Sequence, residues 1–245
     1  MLSGECCGRW FVWACPCLLR KRPVYTGEPL VSPFRREKLL FEFNTFIDLN
    51  HDGILEKRDL DLAVQHLCRR GRWGRNDPRT AKITKLMAGL WLSLLSHADK
   101  NSDDKVTRRE WLLLWEEVEQ GRRKSTNHMV KETTHLNPRQ NDTRRIPSWI
   151  KEYFHYKFML LDVTGDGVLD EEEYVYTMGQ YGASEKNAKN AWFLMARGYR
   201  VLSYKEFEKL CEDFFLSDDP NTPGNYLSAR MYFAPGQQKD ESPEP

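Results

Sequence analysis

Apolar residues recur along this chain with a helical period, and three times the apolar face stops at an aspartate. Leu40, Phe43 and Ile47 precede Asp48; Trp91, Leu95 and Ala98 precede Asp99; Phe154, Phe158 and Leu161 precede Asp162. In each set the outer two residues stand eight and one positions before the aspartate, which puts the set on one helical face. Beyond each aspartate polar residues crowd together, interrupted at the eighth position by Leu55, Val106 or Leu169, and then the helical period returns. The pattern predicts a repeated unit of helix, acidic loop and helix in an all-α protein. A fourth copy survives in MARGYRVLSYKEF, with Leu202 at position eight and Ser203 and Glu206 at nine and twelve. There Met195, Arg197 and Tyr199 replace the first three oxygen-bearing residues, and Arg197 and Arg200 would repel a cation. The expectation is four units in two facing pairs, with short β-bridges between paired loops and a degenerate fourth loop acting as scaffold.

The same pattern divides the chain. Residues 1–32 form a cysteine-rich tail with little helical period. Residues 33–120 hold the first pair of units, and 121–146 read as a polar linker nearly free of large apolar residues. Residues 147–234 hold the second pair, opened by Pro147, and 235–245 read as a flexible tail.

The loops carry the chemistry. In DVTGDGVLDEEE, oxygen-bearing side chains stand at positions 1, 3, 5, 9 and 12: Asp162, Thr164, Asp166, Asp170 and Glu173. Ca²⁺ is a hard cation that takes roughly 6–8 oxygens at about 2.3–2.6 Å, and a short peptide surrounds it only by doubling back. Gly167, at position 6, suits the positive φ of such a turn, and the backbone carbonyl of Val168 at position 7 supplies a further oxygen. Six carboxylates held together without a cation would repel one another; a cation turns that repulsion into binding energy. The second loop offers Asp99, Asn101, Asp103, the Lys105 carbonyl, Thr107 and Glu110, with Asp104 at the turn position. Thr107 and Glu110 also read as a capping box for the following helix. The first loop offers Asp48, Asn50, Asp52, the Ile54 carbonyl, Glu56 and Asp59, with Gly53 at the turn. Its twelfth residue is one methylene shorter than glutamate and reaches an ion more readily with one oxygen than with two. That shortening favours Mg²⁺ relative to Ca²⁺ in this loop, because Mg²⁺ prefers six-coordination and shorter bonds.

Composition narrows the reading further. The net charge of +1 gives no case for nucleic acid as a partner, and no apolar run approaches the ~20 residues that span a bilayer. Cys68 and Cys211 lie in helical patterns as buried thiols, which points to a reducing, cytoplasmic compartment. The eight tryptophans and twelve phenylalanines read as core.

Three acidic loops of this spacing, each flanked by phased helices, resemble the EF-hand proteins. A dead fourth loop, Asp at the end of the first, and the runs IPSWIKEYFHYKFMLLDVTGDGVLDEEEY and EDFFLSDDPNTPGNYL resemble the sarcoplasmic calcium-binding proteins and calexcitin. The resemblance spans about residues 35 to 228. It implies a compact four-EF-hand fold binding up to three Ca²⁺, with no catalytic residues, acting as a cytosolic buffer or a Ca²⁺-responsive signalling protein. If the protein is a sensor, the partner is an unidentified protein such as a channel. GTP binding is not carried over, because no G-x-x-x-x-G-K-[ST] motif occurs. A light-emitting photoprotein shares this architecture and stands as a remote alternative.

The tail departs from that family. Cys6, Cys7, Cys15 and Cys17 are interleaved with apolar residues and followed by Arg20, Lys21 and Arg22. This composition suits S-palmitoylation beside an anionic lipid surface, and hence membrane association of a cytoplasmic protein.

Overall fold

The computed structural model describes residues 29–132 and 146–233. The chain enters through α1 (Pro33–Glu42), capped by the Ser32 side chain, which accepts from the Arg35 amide at 3.1 Å. A π-helical turn (Phe43–Ile47) then carries it to Asp48. Strand β1 (Ile54–Leu55), α2 (Lys57–Gly71), α3 (Pro78–Ala98), β2 (Val106–Thr107) and α4 (Arg108–Glu132) complete the first pair of units. The second pair runs α5 (Ser148–Leu161), β3 (Val168–Asp170), α6 (Glu171–Gln180), α7 (Glu185–Ala196), β4 (Val201–Ser203) and α8 (Tyr204–Leu216). A 3₁₀ turn (Pro223–Tyr226) then leads a strap back over α7 and α8. The predicted all-α architecture of four units in two pairs is therefore present, and the β-bridges are antiparallel. They pair Ile54 with Thr107 and Leu55 with Val106, then Val168 with Ser203, Leu169 with Leu202 and Asp170 with Val201.

The π turn has a plain origin. The amides of Asp99 and Asp162 close ordinary helical bonds on Leu95 and Phe158, at 3.1 and 2.8 Å. The Asp48 amide reaches one residue further, to the Phe43 carbonyl at 2.8 Å. Phe43 stands five residues before its aspartate where the other two stand four before theirs, so one extra residue must be housed to keep Phe43 in the core. That residue is Asn44. Its backbone oxygen lies 3.1 Å from His51 Nδ1, and its side-chain oxygen accepts from Arg108 Nε at 2.6 Å.

One boundary differs from expectation. Helix α4 continues to Glu132, well into the stretch read as a polar linker. Polarity there reflects helix exposure: Arg122 and Arg123 each donate to Glu119 one turn back, at 3.1 and 2.8 Å, and these pairs carry the helix past Gly121.

The two pairs share one core. Trp115 of the first pair stacks on Phe215 of the second at 5.0 Å, and Trp111 and Trp149 pack edge-on against Trp115. The tryptophans at 111, 115 and 149 are all buried, as expected of core residues. More unusual are the charges buried with them. Lys157 on α5 reaches both oxygens of Glu42 on α1, at 2.5 and 2.7 Å, with all side chain surface removed from water. The Tyr153 and Ser228 hydroxyls donate to the same carboxylate, so its lone pairs are satisfied. Arg70 of α2 donates to the terminal carbonyls of α5, those of Leu160 and Met159, a favourable place for a cation at a helix C-terminus. These contacts join the helix entering the first loop directly to the helix entering the third.

Candidate metal centres

Each acidic loop is held open by the same hydrogen-bonded frame. The acid at position 1 accepts the amides of the turn: Asp48 from Asp52 and Gly53, Asp99 from Ser102 and Asp104, Asp162 from Gly165 and Gly167. The acid at position 5 accepts the amide of position 7, at 2.8 Å for Asp52 to Ile54 and 3.0 Å for both Asp103 to Lys105 and Asp166 to Val168. The acid at position 12 spans the loop, with one oxygen on an early amide and the other on position 9. Asp59 takes Leu49, Asn50 and Glu56; Glu110 takes Lys100 and Thr107; Glu173 takes Thr164 and Asp170. The expected turn residues adopt positive φ: Gly53 at 84°, Asp104 at 59° and Gly167 at 86°. Asp104 tolerates this because a short polar side chain suffers less there than a branched one.

Asn50 and Asn101, at position 3, donate to the position-5 acid at 2.8 Å, whereas Thr164 is exposed to solvent. Ile54 and Val168, named for their carbonyls, lie in β1 and β3, and Lys105 immediately precedes β2. Thr107 and Glu110 form the predicted capping box, the Thr107 hydroxyl accepting from the Glu110 amide at 3.2 Å. The Glu56 carboxylate, at position 9 of the first loop, lies 2.7 Å from Lys105 Nζ across the β-bridge.

Among the described residues no three acidic, histidine or cysteine side chains converge closely enough to hold a metal as they stand. The frame gathers the acids around one turn and points their oxygens at backbone amides, so closure on an ion requires the side chains to swing inward. The donor set is entirely oxygen, which fits a hard dication such as Ca²⁺ or Mg²⁺ and excludes a thiolate or imidazole site.

Two features escape a reading of spacing alone. Arg108 approaches Asp48 at 3.9 Å, and Lys105 holds Glu56, so the first loop borrows two cations from the second. The first loop is also the deeper one. Asp48 and Asp59 are both fully buried, and burial, helped by the neighbouring Asp48, pushes the Asp59 carboxyl above the usual carboxylate range. The facing-pair expectation was the available signal, because a lysine at position 7 of one loop lies across the bridge from its partner.

The fourth loop keeps only the last acid of the frame, Glu206, which accepts the Ser203 amide at 2.8 Å. Met195 is buried, Arg197 and Gly198 take positive φ, and Ser203 with Glu206 caps α8. Its strand pairs fully with that of the third loop, which is the scaffold role expected of it. Cys6, Cys7, Cys15 and Cys17 lie outside the described residues. Cys211 is buried and burial raises its thiol well above the usual range, while Cys68 is half-buried beside Thr80.

Four helix–loop–helix units, paired through two-stranded bridges and carrying acids at positions 1, 5 and 12 of three loops, define an EF-hand protein. No family profile matches the chain. It is 27% identical over 202 residues to calexcitin-1 of Caenorhabditis elegans, covering 80% of this chain and 87% of that one. It is 26% identical over 144 residues to sarcoplasmic calcium-binding proteins II, V, VI and VII of Branchiostoma lanceolatum, covering 59% and 68%. In fold it matches the amphioxus sarcoplasmic calcium-binding protein with a TM-score of 0.65 at 21% identity, over 82% of this chain and 98% of that chain. It also matches the photoprotein mitrocomin of Mitrocoma cellularia, with a TM-score of 0.53 at 18% identity, over 83% and 93%. These similarities are to the sarcoplasmic calcium-binding proteins and calexcitin, both of the EF-hand class.

Proposed function

We propose that this chain is an intracellular Ca²⁺ buffer or Ca²⁺-responsive signalling protein whose first three loops each hold one divalent ion. The observation that carries the reading is the shared frame: in three loops, and not in the fourth, carboxylates at positions 1, 5 and 12 are tied to the amides of a single turn. That frame brings the acids close enough to repel, and a dication relieves the repulsion as they close on it. Asp59, shorter than Glu110 or Glu173, supports Mg²⁺ competition in the first loop.

Buffering is the better-supported of the two roles. A sensor opens an apolar groove on binding, whereas here Trp115 on Phe215 and Lys157 on Glu42 close the contact between the pairs. The core also bears on the photoprotein alternative. The cavity lined by Phe46, Trp111, Trp149 and Tyr156 has ≈ 20 Å³ of free space, about room for one water and far short of a luciferin.

Calorimetric titration with Ca²⁺, with and without Mg²⁺, tests the reading. Three binding events, one of them suppressed by Mg²⁺, are expected; no heat of binding in any loop overturns it. A hydrophobic dye whose fluorescence stays nearly constant on adding Ca²⁺ fits a buffer, and a large rise assigns a sensor instead.

A further inference from the structure

The fourth loop has lost its acids at positions 1 and 5 without becoming bland. Its scaffold role needs buried Leu202, the β4 pairing and the Ser203–Glu206 cap, and none of these dictates the exposed positions. Those positions nonetheless carry Phe193, 75% exposed, with Leu194, Tyr199 at 61% and Val201 at 44%. Single exposed apolar residues are ordinary, but these four fall within one short stretch, the last turn of α7 and the loop that follows.

Cations stand between them. Arg197 and Arg200 are exposed and make no ion pair with any described residue, and no acid occurs from Lys186 through Lys205. Lys186, Lys189 and Phe193 follow one another at helical spacing along one side of α7, and Arg197 stands just past its end. Lys189 is answered by Glu185 at 2.6 Å, which leaves the charge at the far end of the helix uncompensated. Residues 197–201 are exposed without interruption, so no described element covers this tip.

We infer that this tip docks on an anionic membrane surface. A bilayer interface suits exposed aromatics interleaved with unpaired arginines: the rings settle at the headgroup level, and arginines pair with lipid phosphates and carboxylates. The opposing charge is close by. The third loop, whose Asp170 pairs across the bridge with Val201, holds six acids and repels an anionic surface. A dication in that loop offsets two of those charges, so Ca²⁺ strengthens docking; this clause alone rests on the function proposed above.

The test is co-sedimentation of the full, unacylated chain with vesicles of phosphatidylcholine alone or doped with phosphatidylserine, in Ca²⁺ and in chelator. Wild type is expected to pellet with the doped vesicles only, and more completely in Ca²⁺. Arg197→Gln with Arg200→Gln is expected to weaken partitioning roughly thirtyfold, from the worth of two surface cations near anionic lipid. Phe193→Ser with Tyr199→Ser is expected to weaken it as well, and both variants lie on exposed positions that leave the core intact. The inference is overturned if wild type stays in solution, if it pellets equally with neutral vesicles, or if both variants pellet as wild type does. Calorimetry on the same samples separates the two readings. Absence of Ca²⁺ binding removes the proposed function, while the comparison in chelator still decides the docking.

Discussion

The first and third loops share a frame yet differ in how their charge is answered. The third loop packs six acids into twelve residues with no base, and its Gly165, Asp166 and Gly167 are exposed. The first loop has four acids and two bases of its own, draws Lys105 and Arg108 from its neighbour, and buries both its end acids. A dication therefore relieves far more repulsion in the third loop than in the first, where cations and amides already share the work. The lesson is that ligand spacing makes a loop competent, while counter-charge and depth set how much an ion gains by entering it.

The sharpest way to break the comparison is to cut the contact that joins the two entering helices. Lys157→Ala leaves Glu42 buried and unpaired and should cost about 3–5 kcal/mol, read as a lower urea midpoint; Glu42→Leu with Lys157→Met should recover most of it. If the single change proves mild, the two loops are not mechanically joined there. Next in size, Glu173→Gln removes one charged ligand from the third loop and should lower its Ca²⁺ affinity roughly a hundredfold, leaving the first loop's isotherm in place. Smaller again, Asp59→Glu should shift the first loop toward Ca²⁺ over Mg²⁺ by about tenfold, seen as lost Mg²⁺ competition in calorimetry.

A pH slope gives a further test. Burial and neighbouring Arg35 lower the Lys38 pKa to about 7, although Lys38 Nζ still donates to the Ser217 carbonyl and to Asn225. Unfolded lysine keeps its proton up to the ordinary value of 10.5. Between those two pH values the unfolded chain binds more protons, so stability rises with pH, by at most about 1.4 kcal/mol per unit. Lys38→Met should flatten that rise in urea titrations above neutrality; an unchanged slope removes Lys38 as its source.

Much of this was legible in the chain. The three acidic loops, the degenerate fourth and the β-bridges follow from residues at fixed local spacing, because a loop and the strand it feeds are built from neighbours in the chain. Even the π turn left a trace, with Phe43 one residue out of step against Leu95 and Phe158. The continuation of α4 was hidden, because a solvated helix and a linker have the same polar composition. The strap was half visible as turn residues, but not its fit: a side chain at Gly224 would meet the Leu210 carbonyl at 2.3 Å, so only glycine lets it lie against α8.

By itself, then, the sequence determined where acidic turns interrupt the helices and which residues stand at each loop position, since those depend on neighbours a few residues apart. The tertiary structure alone decided what surrounds each turn. Arg35, Lys38, Glu42 and Lys157 look like ordinary solvated charges on their helices, yet all four are buried. Lys105 and Arg108 belong to one loop and serve another. Such pairings join residues far apart in the chain, and an electrostatic contact depends on distance through space, which local spacing does not encode.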